Sequence, residues 1–254
     1  MTGTPAVGGA ATGEGAHQGT VVVALGEPAD LPVRLARLHA GLPTGTGIEV
    51  APGDADVPVP LPDLLTGGGF APVGPTLSGG VRGTRAHSLA DTVGPGMRLV
   101  VCGLNPSPAA ARTGVGFAHP GNRFWTAARA AGVVTADRDP FHALDVDGVG
   151  MTDLVKRTTR AAGELGAGEY RAGVHRLVRL VAWLAPGAVC FVGLAGWRAA
   201  VDPSARAGLQ PGLFGGRPVY VMPSTSGANA RTSATELTAH LRSAAELAGR
   251  VPAR

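Results

Sequence analysis

The 254-residue chain has little of several things, and each scarcity closes a route. Its two cysteines, Cys102 and Cys190, lie in separate apolar runs and read as small buried hydrophobes. Two thiols cannot supply the four cysteine ligands of an iron–sulfur cluster. No apolar run approaches the ~18 residues of a membrane span, and no basic start leads into a short apolar core, so neither a span nor a secretory signal is expected. The histidines show no His-x-x-x-His or Cys/His ligand spacing, so no metal is expected. The first apolar run, 20–25, is followed by Gly26-Glu-Pro and not by Gly-x-Gly-x-x-Gly, which leaves no phosphate cradle. Lysine is reduced to Lys156, and aromatic residues make up only 4% of the chain.

What is present fits a soluble globular protein of one or two domains, expected in the cytoplasm: 44% hydrophobic residues and a mean hydropathy of +0.17. The net charge of +4 is unevenly placed. Before Gly96 there are 4 basic and 8 acidic residues; from Gly96 onward there are 18 and 10. The second part has the charge a nucleic-acid surface requires.

Residues 1–19, mostly Gly, Ala and Thr, are expected to be a disordered tail. Residues 20–25 read as a strand, 31–42 as a short helix and 47–50 as a second strand. This βαβ-like fragment is too small to bury a core alone. Residues 51–87, rich in Pro, Gly and Val, predict a linker, so 20–87 reads as an accessory segment. From 88 to 250, apolar runs at 98–102, 188–192 and 218–222 read as strands, and 149–155 as a strand or turn. They alternate with helical stretches at 126–131, 169–184, 196–201 and 232–247, with a polar connection at 137–147. On the 169–184 helix, Arg171, His175, Arg176 and Arg179 fall mostly opposite the apolar face. This order predicts an α/β three-layer sandwich around a central, mostly parallel sheet, with strand ends at 102 and 222 opening on one edge.

Four stretches carry chemistry. Gly103-Leu-Asn-Pro106 ends a strand whose β-branched run suggests burial on both faces. Proline keeps Asn105 out of the α region, and the dipeptide reads either as a simple turn or as an amide held at the ligand edge of the sheet. Phe117-Ala-His-Pro-Gly-Asn-Arg-Phe-Trp125 packs three aromatics, an imidazole, an amide and a guanidinium into nine residues. Gly148-Val-Gly-Met-Thr-Asp-Leu-Val-Lys-Arg-Thr-Thr159 and Met222-Pro-Ser-Thr-Ser-Gly227 complete the set.

In that order these stretches resemble the mismatch-specific uracil and thymine DNA glycosylases of the uracil-DNA glycosylase superfamily, over roughly 89–247. The resemblance implies a monofunctional glycosylase that removes uracil, or thymine or ethenocytosine, opposite guanine. Its partner would be double-stranded DNA bearing a G·U or G·T mismatch, with single-stranded DNA a further candidate, and it would act as a monomer with no cofactor. Asn105 matches the catalytic residue that orients the attacking water. Phe117 matches the face on which the extruded pyrimidine stacks, with Gly103, Leu104, Asp153 and His119 around the base. Ser107, Asn122, Arg123, Ser224, Ser226, Gly227, Ala228, Asn229 and Arg231 are the candidate DNA contacts.

Other readings stay open. Asn122 reads equally as a helix cap, His119 as structural, Phe117 as core, and Asp153 as a cap or a partner of Lys156 or Arg157. Three residues depart from the family pattern. Ser107 stands where Gly is usual. Asp153, an acceptor only when ionised, replaces Asn or Lys. Ala228 occupies the place of a larger wedge. A binding protein of the same fold with weakened catalysis, or a nucleoside or nucleotide N-glycosyl hydrolase, are the alternatives.

Overall fold

Val100, Val101 and Cys102 have no face turned to water, and neither do their neighbours in adjacent strands; that double burial sets the architecture. The computed structural model describes residues 20–53 and 56–249. In chain order the elements are β1 (Val21–Val23), α1 (Leu31–Gly41), β2 (Gly47–Val50), α2 (Leu61–Gly67), β3 (Phe70–Pro75) and β4 (Val81–Arg85). They continue with β5 (Leu99–Gly103), α3 (Pro108–Thr113), α4 (Phe124–Ala130), α5 (Pro140–Asp145), β6 (Val149–Asp153) and α6 (Ala167–Leu184). The chain closes with β7 (Ala188–Val192), α7 (Leu194–Ala200), β8 (Gly208–Phe214), β9 (Arg217–Met222) and α8 (Ala234–Gly249).

The central sheet runs β6-β5-β7-β9-β8, parallel except for the antiparallel edge strand β8. Alternation along each strand divides the core. Leu99, Val101, Cys190 and Met222 face α4 and α8, while Val100, Cys102, Phe191 and Val221 face α6 and α7. This is the three-layer α/β/α sandwich the alternating pattern predicts.

The N-terminal residues depart from expectation. β1 and β2 form the expected parallel pair around α1. The stretch expected to be a linker instead forms α2 and a β3–β4 hairpin, which completes a four-stranded sheet in the order β1-β2-β4-β3. Proline and glycine hide these elements in the sequence. Pro62 falls in the first turn of α2, where its missing N–H costs nothing, and Gly79 turns the hairpin at positive φ. The expected tail at 1–19 lies outside the described residues. Three further elements, α3 after the Asn105 turn, α5 in the polar connection and the Pro- and Gly-containing edge strand β8, are not anticipated by the sequence pattern.

The two sheets share one core. Leu31, Leu35, Ile48, Leu65 and Phe70 pack in the same cluster as Val100, Leu177 and Leu180. Ion pairs Arg37–Asp145 and Arg179–Asp63 join the parts at the surface. Among the described residues no helix is long and apolar enough to cross a membrane.

Leu35 is fully buried in the N-terminal unit, whereas Trp125, Trp183 and Trp197 all lie beyond residue 88. Leu35→Ala should therefore lower the stability read by tryptophan fluorescence in urea by about 2–5 kcal/mol, in a single transition. An unchanged tryptophan-monitored midpoint would mean that the two sheets unfold independently.

Candidate active site

Strands β5 and β6 run in parallel register, Gly103 opposite Asp153, so both leave the sheet at the same edge. The segment leaving β5 is tied to the segment leaving β6. The N–H of Leu154 donates to Gly103 O, that of Val155 to Leu104 O and that of Thr159 to Pro106 O. Asn105 is thereby seated against 157–159. Its Nδ2 donates to Arg157 O at 2.9 Å and to Thr159 Oγ1 at 2.8 Å, with a longer contact to Pro106 O. Thr159 gives its only hydroxyl proton to Ala161 O at 3.0 Å, so toward Asn105 it can only accept. That fixes the carboxamide: nitrogen inward, and an Oδ1 with no partner among the described residues free to accept from a ligand or water. Thr159 ends one of the four sequence stretches, but nothing in the sequence assigns it this role.

Phe117 lies across this edge. Its backbone has φ of 59°, a left-handed conformation that is an outlier for a bulky residue. It is held there from two sides. The indole of Trp125 donates to Gly116 O at 2.8 Å, and the Phe117 ring stacks on buried Phe124 at a centroid distance of 4.2 Å. Gly103 fits between that ring and Asp153. A Cβ there would collide with Asp153 Oδ1 and come within 3.5 Å of the Phe117 ring. Phe117 and Asp153, with Leu89, Ala90, Gly116 and Met151, line a narrow cavity of about 10 Å³, room for one water molecule.

Asp153 is buried, and neither of the alternative partners takes its carboxylate. Lys156 pairs with Asp91 and Arg157 with Glu169. The Oδ2 atom is enclosed without a hydrogen-bond partner. Burial pushes its pKa up to about 6, with the Asp91 charge adding to the rise and Lys156 and Arg176 opposing it.

The remaining candidates divide. The Leu104 side chain turns to the opposite face of the sheet against Gly196, leaving only its main chain near the site. His119 is exposed and accepts from Gly121 N–H, a turn contact. Ser107 caps α3 by accepting from Ala110 N–H, and Asn122 Oδ1 accepts from Phe124 N–H. Arg123, a candidate DNA contact from its motif, instead donates its guanidinium to Thr232 O at 2.6 Å and to Asn229 O at 2.7 Å. Asn229 is also engaged within the loop, donating to Ser224 O and Thr232 Oγ1. Both residues brace the 224–232 loop, because a loop this polar needs internal partners for its carbonyls. Ser224 and Ser226 accept from Ser226 N–H and Ala228 N–H. Gly227 lies against Gly121 O, closer than any Cβ would allow. Ala228 and Arg231 are exposed. Among the described residues no group of three or more His, Cys, Asp or Glu could hold a metal ion.

Residues 90–247 match the family model described as Uracil DNA glycosylase superfamily. The chain is also similar to a Methanosarcina acetivorans protein, a candidate uracil DNA glycosylase solved by solution NMR. The match has 20% sequence identity and a TM-score of 0.40, and covers 62% of this chain and 96% of that one.

The raised Asp153 pKa has a sign that can be checked. Between about pH 4 and 6 the folded protein keeps a proton on Asp153 that the unfolded chain has released, so stability falls as pH rises through this window. The loss amounts to about 3 kcal/mol for a shift of about two units, and is complete above pH ~6. Asp153→Asn should remove that decline in urea titrations run across the window. A decline that persists in the variant would assign it to another group.

Proposed function

Because the chain belongs to the uracil DNA glycosylase superfamily, we propose that it hydrolyses the N-glycosidic bond of uracil mispaired with guanine in DNA, leaving an abasic site. The observation that carries this reading is the locked Asn105 carboxamide, its oxygen free at the sheet edge that Phe117 lies across.

Reaching C1′ of a stacked nucleotide requires rotating it out of the duplex, at a cost of a few kcal/mol that is least for a mispaired base. Stacking on Phe117 returns about 1–3 kcal/mol of that. The ring face not covered by Phe124 is the one a pyrimidine would use. Ionised Asp153 would accept from uracil N3–H or from the exocyclic amine of a cytosine-derived lesion.

An amide is a poor base, so Asn105 contributes orientation: Oδ1 accepts from a water and aims its oxygen at C1′. The N1–C1′ bond breaks first, with its electron pair leaving on the base. Water oxygen then bonds to C1′ and its proton passes to solvent. The chain's one lysine, Lys156, is buried in an ion pair with Asp91, so its amine is not free to attack C1′ and the strand is left uncut. The 224–231 loop would meet phosphate through Ser224, Ser226 and exposed Arg231. Ala228 is too small to fill the gap left by the base, which favours substrates already mispaired or single-stranded, where extrusion costs less.

The test uses G·U and G·T duplexes, single-stranded uracil DNA and free deoxyuridine. Cleavage of G·U DNA with no release from free deoxyuridine is expected. Asn105→Ala should lower the single-turnover rate by about 10²-fold or more while abasic-DNA binding persists. Equal hydrolysis of free deoxyuridine would make the protein a nucleoside hydrolase; binding without any cleavage would make it a DNA-binding protein.

A further inference from the structure

Behind the pocket lies a buried group of charges that the chemistry above does not use. The Asp91 carboxylate accepts from Lys156 Nζ and Thr152 Oγ1 on one oxygen, both at 2.7 Å, and from the Arg176 guanidinium on the other at 2.5 Å. The side chains of Asp91, Lys156 and Arg176 are 4%, 8% and 7% exposed, so these charges face one another and little water. Helical position alone places Arg176 toward solvent; it points inward because Asp91 waits there.

We propose that Asp91 is a positioning residue for the proposed reaction, fixing from behind both the main chain that carries the Asp153 carboxylate and the segment that orients Asn105. The inference rests on the glycosylase reading for its consequence in catalysis, but not for its geometry. One arm runs through Arg176, whose second nitrogen donates to Asp153 O at 2.8 Å, while Thr152, the residue before, is held by Asp91 directly. The other arm runs through 156–158. Lys156 is held by the Asp91 carboxylate, Ser88 Oγ donates to Lys156 O, and Thr158 Oγ1 donates to His87 O. The next carbonyl along that segment, Arg157 O, receives the Asn105 amide.

The N-terminal sheet closes the cluster. Asp91 N–H donates to Gly67 O, and a Cβ on Gly67 would fall 2.6 Å from Asp91 Oδ2 and 2.8 Å from Arg176 Nη1. Only glycine leaves room for the ion pair to be sealed from that side.

The charges also do not balance without Asp153. Two cations face Asp91, and the second carboxylate near them is Asp153 itself. The other titratable group against it, the Cys102 thiol of β5, is buried and held neutral, its pKa pushed up by burial and by the Asp153 charge. With Asp153 protonated the cluster carries one net positive charge; with Asp153 ionised it is neutral. Asp91 and the two cations therefore set the ionisation of the pocket carboxylate with opposite signs.

The test uses full-length Asp91→Asn and Lys156→Met, with three readouts: carbon-detected NMR titration of the Asp153 carboxyl, single-turnover cleavage of a G·U duplex, and binding to abasic duplex DNA. Removing the Asp91 charge should lower the Asp153 midpoint, and removing the Lys156 charge should raise it, each by about one unit, a tenfold change in ionisation. Both variants should lose about tenfold or more in single-turnover rate, with abasic-DNA binding kept within about threefold. Midpoints that stay put, or move in the same direction, overturn the proposal, as do unchanged rates in folded variants. If Asp91→Asn does not fold, Lys156→Met, which keeps the Asp91–Arg176 pair, decides alone. The NMR titration needs no turnover. A wild-type protein that cleaves nothing but shows the opposed shifts would refute the glycosylase reading and leave the electrostatic arrangement standing.

Discussion

Parallel strands buried on both faces must all end at the same edge, and everything functional in this molecule depends on that constraint. The β6, β5, β7 and β9 strands share one direction, so Asp153, Gly103, Val192 and Met222 emerge side by side. The chain can place amides, carboxylates and hydroxyls there without unpairing the core. Asn105, Asp153 and the 223–231 loop are all consequences of strand termination.

A shared edge does not by itself give rigid geometry. Rigidity comes from segments hydrogen-bonded across it. Trp125 and Phe124 hold the strained Phe117 backbone, and Arg123 crosses to the carbonyls of the 224–232 loop, with its own N–H bound to Thr225 O. Residues that look from the sequence like ligand contacts are in several cases braces for the residues that remain exposed. The aromatic loop is costly locally, and that cost is met by a stacked ring pair and a buried indole, not by burying the loop as a whole.

The parts of this arrangement visible in the sequence are those whose signal is local. Unbroken apolar runs identify the inner strands, and the proline after Asn105 marks the turn. The α6 periodicity appears because its apolar face repeats every three to four residues. The β3–β4 hairpin and β8 escape because edge strands with Pro and Gly show neither alternation nor a continuous apolar run. The pairing of Asp91 with Arg176, 85 residues apart, has no local signature; nor does the freedom of Asp153, which depends on Lys156 and Arg157 choosing other carboxylates. Thr159 could be singled out from its spacing after Asp153, but its hydroxyl acquires meaning only once Ala161 O takes its proton.

These long-range charges explain why the N-terminal sheet belongs to the same folding unit as the strands that carry the site. A cluster of two cations and one firmly ionised carboxylate survives burial only if its members are mutually satisfied and water is excluded. α6 and β6 close two sides of it, and the third is closed by α2 at Gly67, where absence of a side chain brings backbone against the ion pair. Packing there and chemistry at the pocket are therefore not separable quantities. A change that lets water reach Asp91 relaxes the field on Asp153, and the field on Asp153 decides whether the pocket offers a hydrogen-bond acceptor alone or a proton as well.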